Sequence, residues 1–355
     1  MAVEAVEELG FEETLKTEVV EKGLCACCGA CVAFCPYGAI ELGPRGPELV
    51  DMCLKCGNCY SICPRYRFDL EAVEEFFFGR TRRPDEDFGV HRAVVVARSK
   101  DPEVLKVCQD GGVVSTLVKY LVGSGRAVGA VLSGVSKEAA WTPEARIALA
   151  EPEVLECAGS RYTYTRNMLL NVGVMGFLSL MEGARGVFVG LPCQVRAVRK
   201  FQMLPAPEIG WHEAIGPVIG LFCTETFDQR GLIEGVVKGK LGLDPADVVK
   251  MNIKKGRLYF YLRDGSSKHV RVRDLKDIVR EGCRACTDFS AELADISVGS
   301  VGLEGWNLVI LRSKLGEEIF EEVVGEGYLE VKEPDEKPLK VLRDLTALKH
   351  KRASS

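Results

Sequence analysis

Residues 25–36 read CACCGACVAFCP and residues 53–64 read CLKCGNCYSICP. Taken as Cys25, Cys28, Cys31 and Cys35, the first stretch is C-x2-C-x2-C-x3-C-P, and Cys53, Cys56, Cys59 and Cys63 repeat it. Spacing this short wraps three thiolates around one iron–sulfur cubane, and the proline steers the chain toward a second. The fourth cysteine of each run then serves the other cluster. The expected ligand sets are Cys25, Cys28 and Cys31 with Cys63, and Cys53, Cys56 and Cys59 with Cys35. A pair of zinc sites is the rival, since C-x2-C is also a zinc spacing. Zinc takes two C-x2-C pairs, not a longer run repeated once, so the cluster reading is preferred. Cys27 falls outside the pattern and reads as a packed free thiol.

The remainder of the chain fits that reading. Residues 20–66 are expected to form a bacterial-type ferredoxin module for two 4Fe-4S clusters. At 355 residues the chain should hold two or three domains. With 47% hydrophobic and 27% charged residues it has enough apolar material for sizeable cores. A net charge of −5 argues for no nucleic-acid partner. The N-terminus, MAVEAVEELG, is acidic and shows no basic stretch before an apolar one, so no signal peptide is expected. Residues 169–181, LLNVGVMGFLSLM, are too few and too rich in glycine to cross a bilayer, and read as a buried helix. In a reducing cytoplasm, 15 cysteines point to metal or redox chemistry rather than disulfides.

After Pro64 a charged stretch reads as a linker over 67–90, with a short helix around Glu71 to Phe78. From Ala93 the pattern alternates between strand and helix: AVVVA, a helix from Val113 to Leu121, AVGAVLSGV, then GVFVG before a helix near Gln194 to Phe201, and PVIGLF. Residues 257–273 read as a β-hairpin turning at Asp264-Gly265. An α/β or α+β domain with a mixed sheet is expected, its N-terminal part over 91–168, its C-terminal part over 169–335, and a tail over 336–355. GSGRAVG, with Gly123, Gly125 and Gly129, imitates a dinucleotide fingerprint but follows a helix and opens a strand, so it reads as a helix end and turn. No P-loop, G-x-S-x-G or HExxH is present, and 4 histidines leave little for hydrolytic triads or histidine-rich metal sites.

Cys193 in GLPCQ and Cys223 in GLFCTE each stand just beyond an apolar strand, where sites collect in such folds. With Cys283 and Cys286 of CRACTD they would make a four-thiolate cage. A third 4Fe-4S cluster, a structural zinc and unrelated buried thiols all remain open from these residues alone. Cys108 and Cys157 have no partners by spacing. Gln109, Asp110, Gly111, Gly112 and Ser115 sit where a loop enters a helix, which suits a phosphate or, more plainly, an N-cap. Lys254, Lys255, Arg257, Arg271 and Arg273 form a basic stretch, read as a solvated face or as a contact for an acidic ligand tail or partner.

QDGGVVSTLVKYL (109–121), AGSRYTY (158–164), VGLPCQVRAVRK (189–200), IGLFCTETF (219–227) and CRACTDFSAELADISVGSVG (283–302) occur in one order. Together they resemble the family of beta subunits of coenzyme F420-reducing hydrogenase. With the double-cluster module in front, the whole is similar to the input-subunit branch of archaeal F420H2 dehydrogenases. The resemblance implies FAD, coenzyme F420 as substrate and one 4Fe-4S cluster in the large domain, on Cys193, Cys223, Cys283 and Cys286. It also marks Gln109, Asp110, Gly111, Gly112, Ser115, Ser160, Arg161, Tyr162 and Gln194 as cofactor contacts. Arg161 stands where the family pattern suggests lysine, and a planar fork differs from a point charge. The implied activity is hydride exchange between coenzyme F420 and FAD, with single electrons passed through three clusters to other subunits of a complex or to a soluble ferredoxin. Alternatives are the deazaflavin-handling subunit of a formate dehydrogenase or hydrogenase, a ferredoxin:F420 oxidoreductase, and a non-catalytic polyferredoxin carrier. A cytoplasmic place, or one at the inner membrane face through partner subunits, would follow.

Overall fold

The structure, a computed structural model, describes residues 9–43, 45–205 and 211–354. Residues 1–8, on which the expectation of no signal peptide rests, lie outside them, as do Pro44, residues 206–210 and Ser355. The strands are β1 (Ile40–Leu42), β2 (Pro47–Leu49), β3 (Ala93–Ser99), β4 (Gly129–Val135), β5 (Pro143–Ala148), β6 (Gly186–Gly190), β7 (Ile215–Leu221), β8 (Val248–Lys254), β9 (Arg257–Leu262), β10 (Ser267–Arg271), β11 (Ile296–Gly299), β12 (Asn307–Leu311) and β13 (Leu329–Lys332).

The two cysteine runs fold alike. In each, a glycine in the left-handed region, Gly29 at φ 86° and Gly57 at φ 81°, precedes a one-turn helix, Ala30–Ala33 or Asn58–Ser61. The β1–β2 hairpin joins the runs. Helix Glu12–Val20 closes the module: Phe11, Leu15 and Val19 pack with Cys31, Ile40, Cys59 and Tyr66. Thiols supply much of this small core, as expected where few apolar residues are available.

The linker wraps onto the large domain. Its helix, Leu70–Phe78, starts at Asp69, whose carboxylate accepts from the Ala72 N–H. The fully buried Glu74 pairs with Arg82, which also reaches Glu292 at 2.7 Å.

In the large domain an eight-stranded sheet runs β13-β3-β12-β11-β7-β6-β4-β5. Its centre, β11-β7-β6-β4, is parallel, and both flanks are antiparallel. Strand β6 (GVFVG) is buried on both sides, as a covered parallel centre demands, and so is the antiparallel β12 (NLVIL) of the adjoining flank. Side chains alternate between the two faces: Val187 and Val189 meet helices Val113–Gly123 and Lys314–Gly325, while Phe188 and Val218 meet helices Asn167–Leu178 and Pro192–Gln202. In helix Val113–Gly123, the buried Val113, Leu117, Leu121 and Val122 keep the period that lays one stripe on the sheet. Residues 123–129 end this helix and open β4, with Ala127 N–H returning to the Leu121 carbonyl.

Strands β8, β9 and β10 form a separate antiparallel sheet, and its hairpin turns at Asp264-Gly265. Two expectations need correction. The 169–181 segment is one-sided rather than buried: helix Asn167–Leu178 hides Met168, Val172 and Met175 but leaves Phe177 63% and Leu180 82% exposed. Residues 336–355, expected as a tail, fold over most of their length into helix Glu336–Ala353, which buries Leu342, Thr346 and Lys349.

Candidate functional site: three cysteine cages and a cleft

The cysteines line three cavities. A first cage is lined by Cys25, Cys28, Cys31 and Cys63, with Cys27 beside them. A second is lined by Cys35, Cys53, Cys56 and Cys59. A third is lined by Cys193, Cys223, Cys283 and Cys286, with Cys25 at its edge. The structure thus brings together the cysteines grouped from sequence, Cys63 meeting the first run and Cys35 the second. Local backbone explains the third cage. Parallel β6 and β7 deliver Cys193 and Cys223 from neighbouring C-terminal ends, and the one-turn helix Glu281–Arg284 brings in Cys283 and, just beyond it, Cys286.

These thiols are poor places for bare negative charge. Burial pushes Cys28 and Cys59 up to about 12, and it pushes Cys31, Cys193 and Cys223 up as well. Four converging thiolates therefore need a positive centre among them. Among the described residues, no three His, Cys, Asp or Glu side chains meet closely enough to hold a single metal ion. A set of four thiols converging on one cavity has the donor chemistry of an iron–sulfur cubane.

Polar contacts and cations surround the cages. Tyr164 hydroxyl meets Cys193 Sγ at 3.4 Å, Thr226 hydroxyl meets Cys283 Sγ at 3.5 Å, and Cys27 N–H donates to Cys25 Sγ at 3.2 Å. Arg280 lies over the Tyr164 ring, 4.1 Å from its centre, and donates to the Ala26 carbonyl. Lys349 donates to the carbonyls of Cys223 and Asp288 at 2.6 and 2.7 Å. Burial opposes ionisation of Cys286, but the charges of Lys349 and Arg65 outweigh it and hold that thiol below its usual value. The first and third cavities share Cys25, Ala26 and Arg65 in their walls. Cys31 and Cys59 in turn lie within electrostatic reach of each other. The cages thus run in a line from third to first to second, ending at the exposed Cys56.

A second group of expected contacts lies around the loop that follows β3. Loop 109–112 enters helix Val113–Gly123, and a side chain at Gly111 would stand 2.7 Å from the Asn307 backbone nitrogen. Only glycine permits that approach. Asp110 accepts from the Ser300 hydroxyl beyond β11, and burial raises its carboxyl. Gln109 Oε1 accepts from Ser160 N–H, while its Nε2 is buried without a partner in the protein. Tyr162 hydroxyl accepts from Ile253 N–H on β8, and burial raises its pKa.

Two of the expected contacts, Arg161 and Gln194, are engaged elsewhere. Arg161 donates to the carbonyls of Ser133, Cys157, Ala158 and Gly159, so its fork clamps its own loop. Gln194 caps its helix through Leu191 N–H and donates to the Thr165 carbonyl. Ser115 lies one turn into helix Val113–Gly123, half-buried. Lys255, Arg257 and Arg273 are exposed, Arg271 pairs with Asp274, and Lys254 with Glu304.

Sequence reasoning missed Lys250, whose ammonium holds the carbonyls of Cys108 and Gln109 and so ties the small sheet to that loop. It also missed Tyr261, which β8–β9 pairing sets opposite Lys250, and the cage cations Arg65, Arg280 and Lys349. Cys108 Sγ donates to the Asp110 carbonyl, and Cys157 lies beside Arg161.

Known proteins share this arrangement. Residues 94–171 match the family profile for the N-terminal part of the coenzyme F420 hydrogenase/dehydrogenase beta subunit, and residues 184–337 match the profile for its C-terminal part. The coenzyme F420 hydrogenase beta subunit of Methanothermobacter thermautotrophicus is 35% identical over 268 residues, 75% of this chain and 93% of its own. The F(420)H(2) dehydrogenase F-subunit of Methanosarcina mazei is 30% identical over 344 residues, 94% of this chain and 91% of its own. Among solved structures, a chain of the F420-reducing [NiFe] hydrogenase complex from Methanosarcina barkeri superposes with a TM-score of 0.70 at 30% identity, over 77% of this chain and 93% of that one. The sheet, the order of the motifs and these likenesses agree: the chain belongs to the family of coenzyme F420 hydrogenase/dehydrogenase beta subunits.

Proposed function

We propose that this chain is an electron-input subunit that holds FAD and three 4Fe-4S clusters and exchanges reducing equivalents between coenzyme F420 and a partner subunit or soluble ferredoxin. The observation that carries the proposal is the gathering of cysteines around three cavities: Cys25, Cys28, Cys31 and Cys63 with Cys27 at the first, Cys35, Cys53, Cys56 and Cys59 at the second, and Cys193, Cys223, Cys283 and Cys286 with the shared Cys25 at the third. When bound, FAD exchanges hydride with the deazaflavin and the clusters carry single electrons onward.

The chain's own residues have separable tasks. Cys25, Cys28, Cys31 and Cys63 hold one cluster of a ferredoxin-like module, and Cys35, Cys53, Cys56 and Cys59 hold the other. Cys193, Cys223, Cys283 and Cys286 hold the third, and buried cations near it favour its more negative, reduced form. At loop 109–112, the unpartnered Gln109 Nε2 offers a hydrogen bond, and the N-terminus of helix Val113–Gly123 suits a phosphate. Tyr162, Lys250 and Lys254 add a donor and positive charge suited to an anionic coenzyme. Arg161 and Gln194 serve by holding the loops that carry these groups.

Anaerobic reconstitution tests the reading. About 12 iron and 12 sulfide per chain are expected, together with FAD. Reduced coenzyme F420 should bleach the flavin band in stopped flow, with NADH and NADPH slower by about 100-fold, or about 2.7 kcal/mol in the barrier. Equal bleaching by NADH would overturn the deazaflavin assignment. About 8 iron with one zinc would remove the third cluster.

A further inference from the structure

Arg65 follows the Cys63-Pro64 end of the second cysteine run, yet its guanidinium belongs equally to the large domain. Nη2 donates to the Gly282 carbonyl at 3.0 Å and Nη1 to that of Ala285 at 3.4 Å, both in the segment carrying Cys283 and Cys286. Its Nε is buried and has no hydrogen-bond partner in the protein. The side chain lines both the first and the third cavity. The groups nearest its charge are the thiols of Cys286, Cys193 and Cys283.

We propose that Arg65 is a shared positioning cation, placed between the first and third cages so that one charge raises the reduction potential of both clusters while its fork holds the cages together. The inference rests on the reading of these cavities as cluster sites. Its physical basis is simple. A cluster gains one negative charge on reduction, and a cation beside it favours the reduced state most where the surroundings are dry. A buried N–H with no partner in the protein would be satisfied by a sulfur of a bound cluster, and hydrogen bonds to sulfur act in the same direction. Among the described residues that line the second cage the one cation is Lys55, which is half-exposed and lies 3.6 Å from Glu13. One residue thus levels the first and third clusters with each other and sets both apart from the second. That arrangement suits easy electron exchange between the two.

The test is EPR-monitored redox titration of the reconstituted full chain and its variants, with iron and sulfide counted on the same samples. Arg65→Gln should retain three clusters and make reduction of two of them less favourable by at least about tenfold, equivalent to about 59 mV per one-electron couple. The third midpoint, assigned to the second cage by its response to Cys56→Ser, should stay put. Arg65→Lys keeps the charge without the fork and should leave all midpoints within about threefold of wild type. If Arg65→Gln loses iron that Arg65→Lys retains, the charge is required for cluster binding and the proposal stands. Unmoved midpoints in Arg65→Gln, movement of one midpoint alone, or identical behaviour of the two variants would overturn it. A wild-type protein that binds fewer than three clusters would instead refute the cluster reading itself.

Discussion

Lys349 offers a sharp quantitative test, because it lies in a helix that the sequence did not flag and holds down the rim of a cage. Its ammonium donates to two carbonyls, Cys223 at 2.6 Å and Asp288 at 2.7 Å, from a side chain that is 2% exposed. Replacement by methionine keeps the stem and removes both charged donors. Each buried carbonyl left without a partner costs about 1–3 kcal/mol. Burial by itself opposes the ammonium, although Cys223, Cys286 and Asp288 outweigh it and raise the lysine pKa overall, so relief from burying the charge returns only part of that sum. A net loss of about 2–3 kcal/mol is expected. It should fall on docking of helix Glu336–Ala353, which is held at its C-terminal end by Lys349 and by Arg352 on Glu225. Hydrogen exchange reports this directly: a loss of that size opens the helix about 30- to 150-fold more often. Lys349→Met should therefore accelerate amide exchange across 340–353 by that factor while leaving helix Val113–Gly123 unchanged. Equal protection in the two proteins would refute the reasoning.

Other perturbations separate the parts. Cys193→Ala should leave about 8 iron per chain by colorimetric assay while sparing the two N-terminal clusters; retention of about 12 would show that Cys193 holds nothing. Gly111→Ala, forced against Asn307, should lower bound FAD by absorbance and cost about 1–3 kcal/mol in urea titration. Glu86, hydrogen-bonded by Arg80, has its carboxyl held down at about 2. A lowered pKa stabilises the fold above the ordinary value of 4.5 and ceases to do so as pH falls toward 2. Glu86→Gln should thus cost about 2 kcal/mol at pH 7, discounted for the partly exposed Arg80, and the gap to wild type should shrink below pH 4.5 in parallel urea titrations.

The cysteine sets were legible because ligand spacing is a local property: a cubane asks for thiolates a few residues apart, and 25–35 and 53–63 supply them in order. The third set was legible only in part. Two of its members follow separate strands, and only the parallel pairing of β6 with β7 brings Cys193 beside Cys223. The strands themselves were plain, since GVFVG and PVIGLF are short apolar runs bounded by glycine and polar residues. Arg65, Arg280 and Lys349 were not legible. A lysine in a charged C-terminal stretch gives no sign that it is buried, and its meaning comes from two carbonyls more than sixty residues away in sequence. Residues 169–181 misled for the opposite reason. Apolar content suggests burial, but only one stripe of that helix meets the sheet.

The same contacts bear on whether the cysteine module is an appendage or part of one redox unit. Modules tied by a linker alone would be free to change their separation, and electron transfer between them would vary with it. Here charged donors of one part repeatedly close on backbone carbonyls of the other. Lys200 of the large domain reaches Tyr60, Cys63 and Tyr66, Arg280 reaches Ala26, and Arg65 of the module reaches Gly282 and Ala285. All these acceptors lie in or beside cysteine-bearing segments. Carbonyl acceptors have an advantage over carboxylates in this position. They fix geometry through hydrogen bonds worth about 1.5–3 kcal/mol each to a charged donor, without bringing in the negative charge that would oppose reduction nearby. The cations thus keep their field for the thiol cages, and under the proposal for Arg65 the contacts that set the spacing of the first and third cages would also tune them.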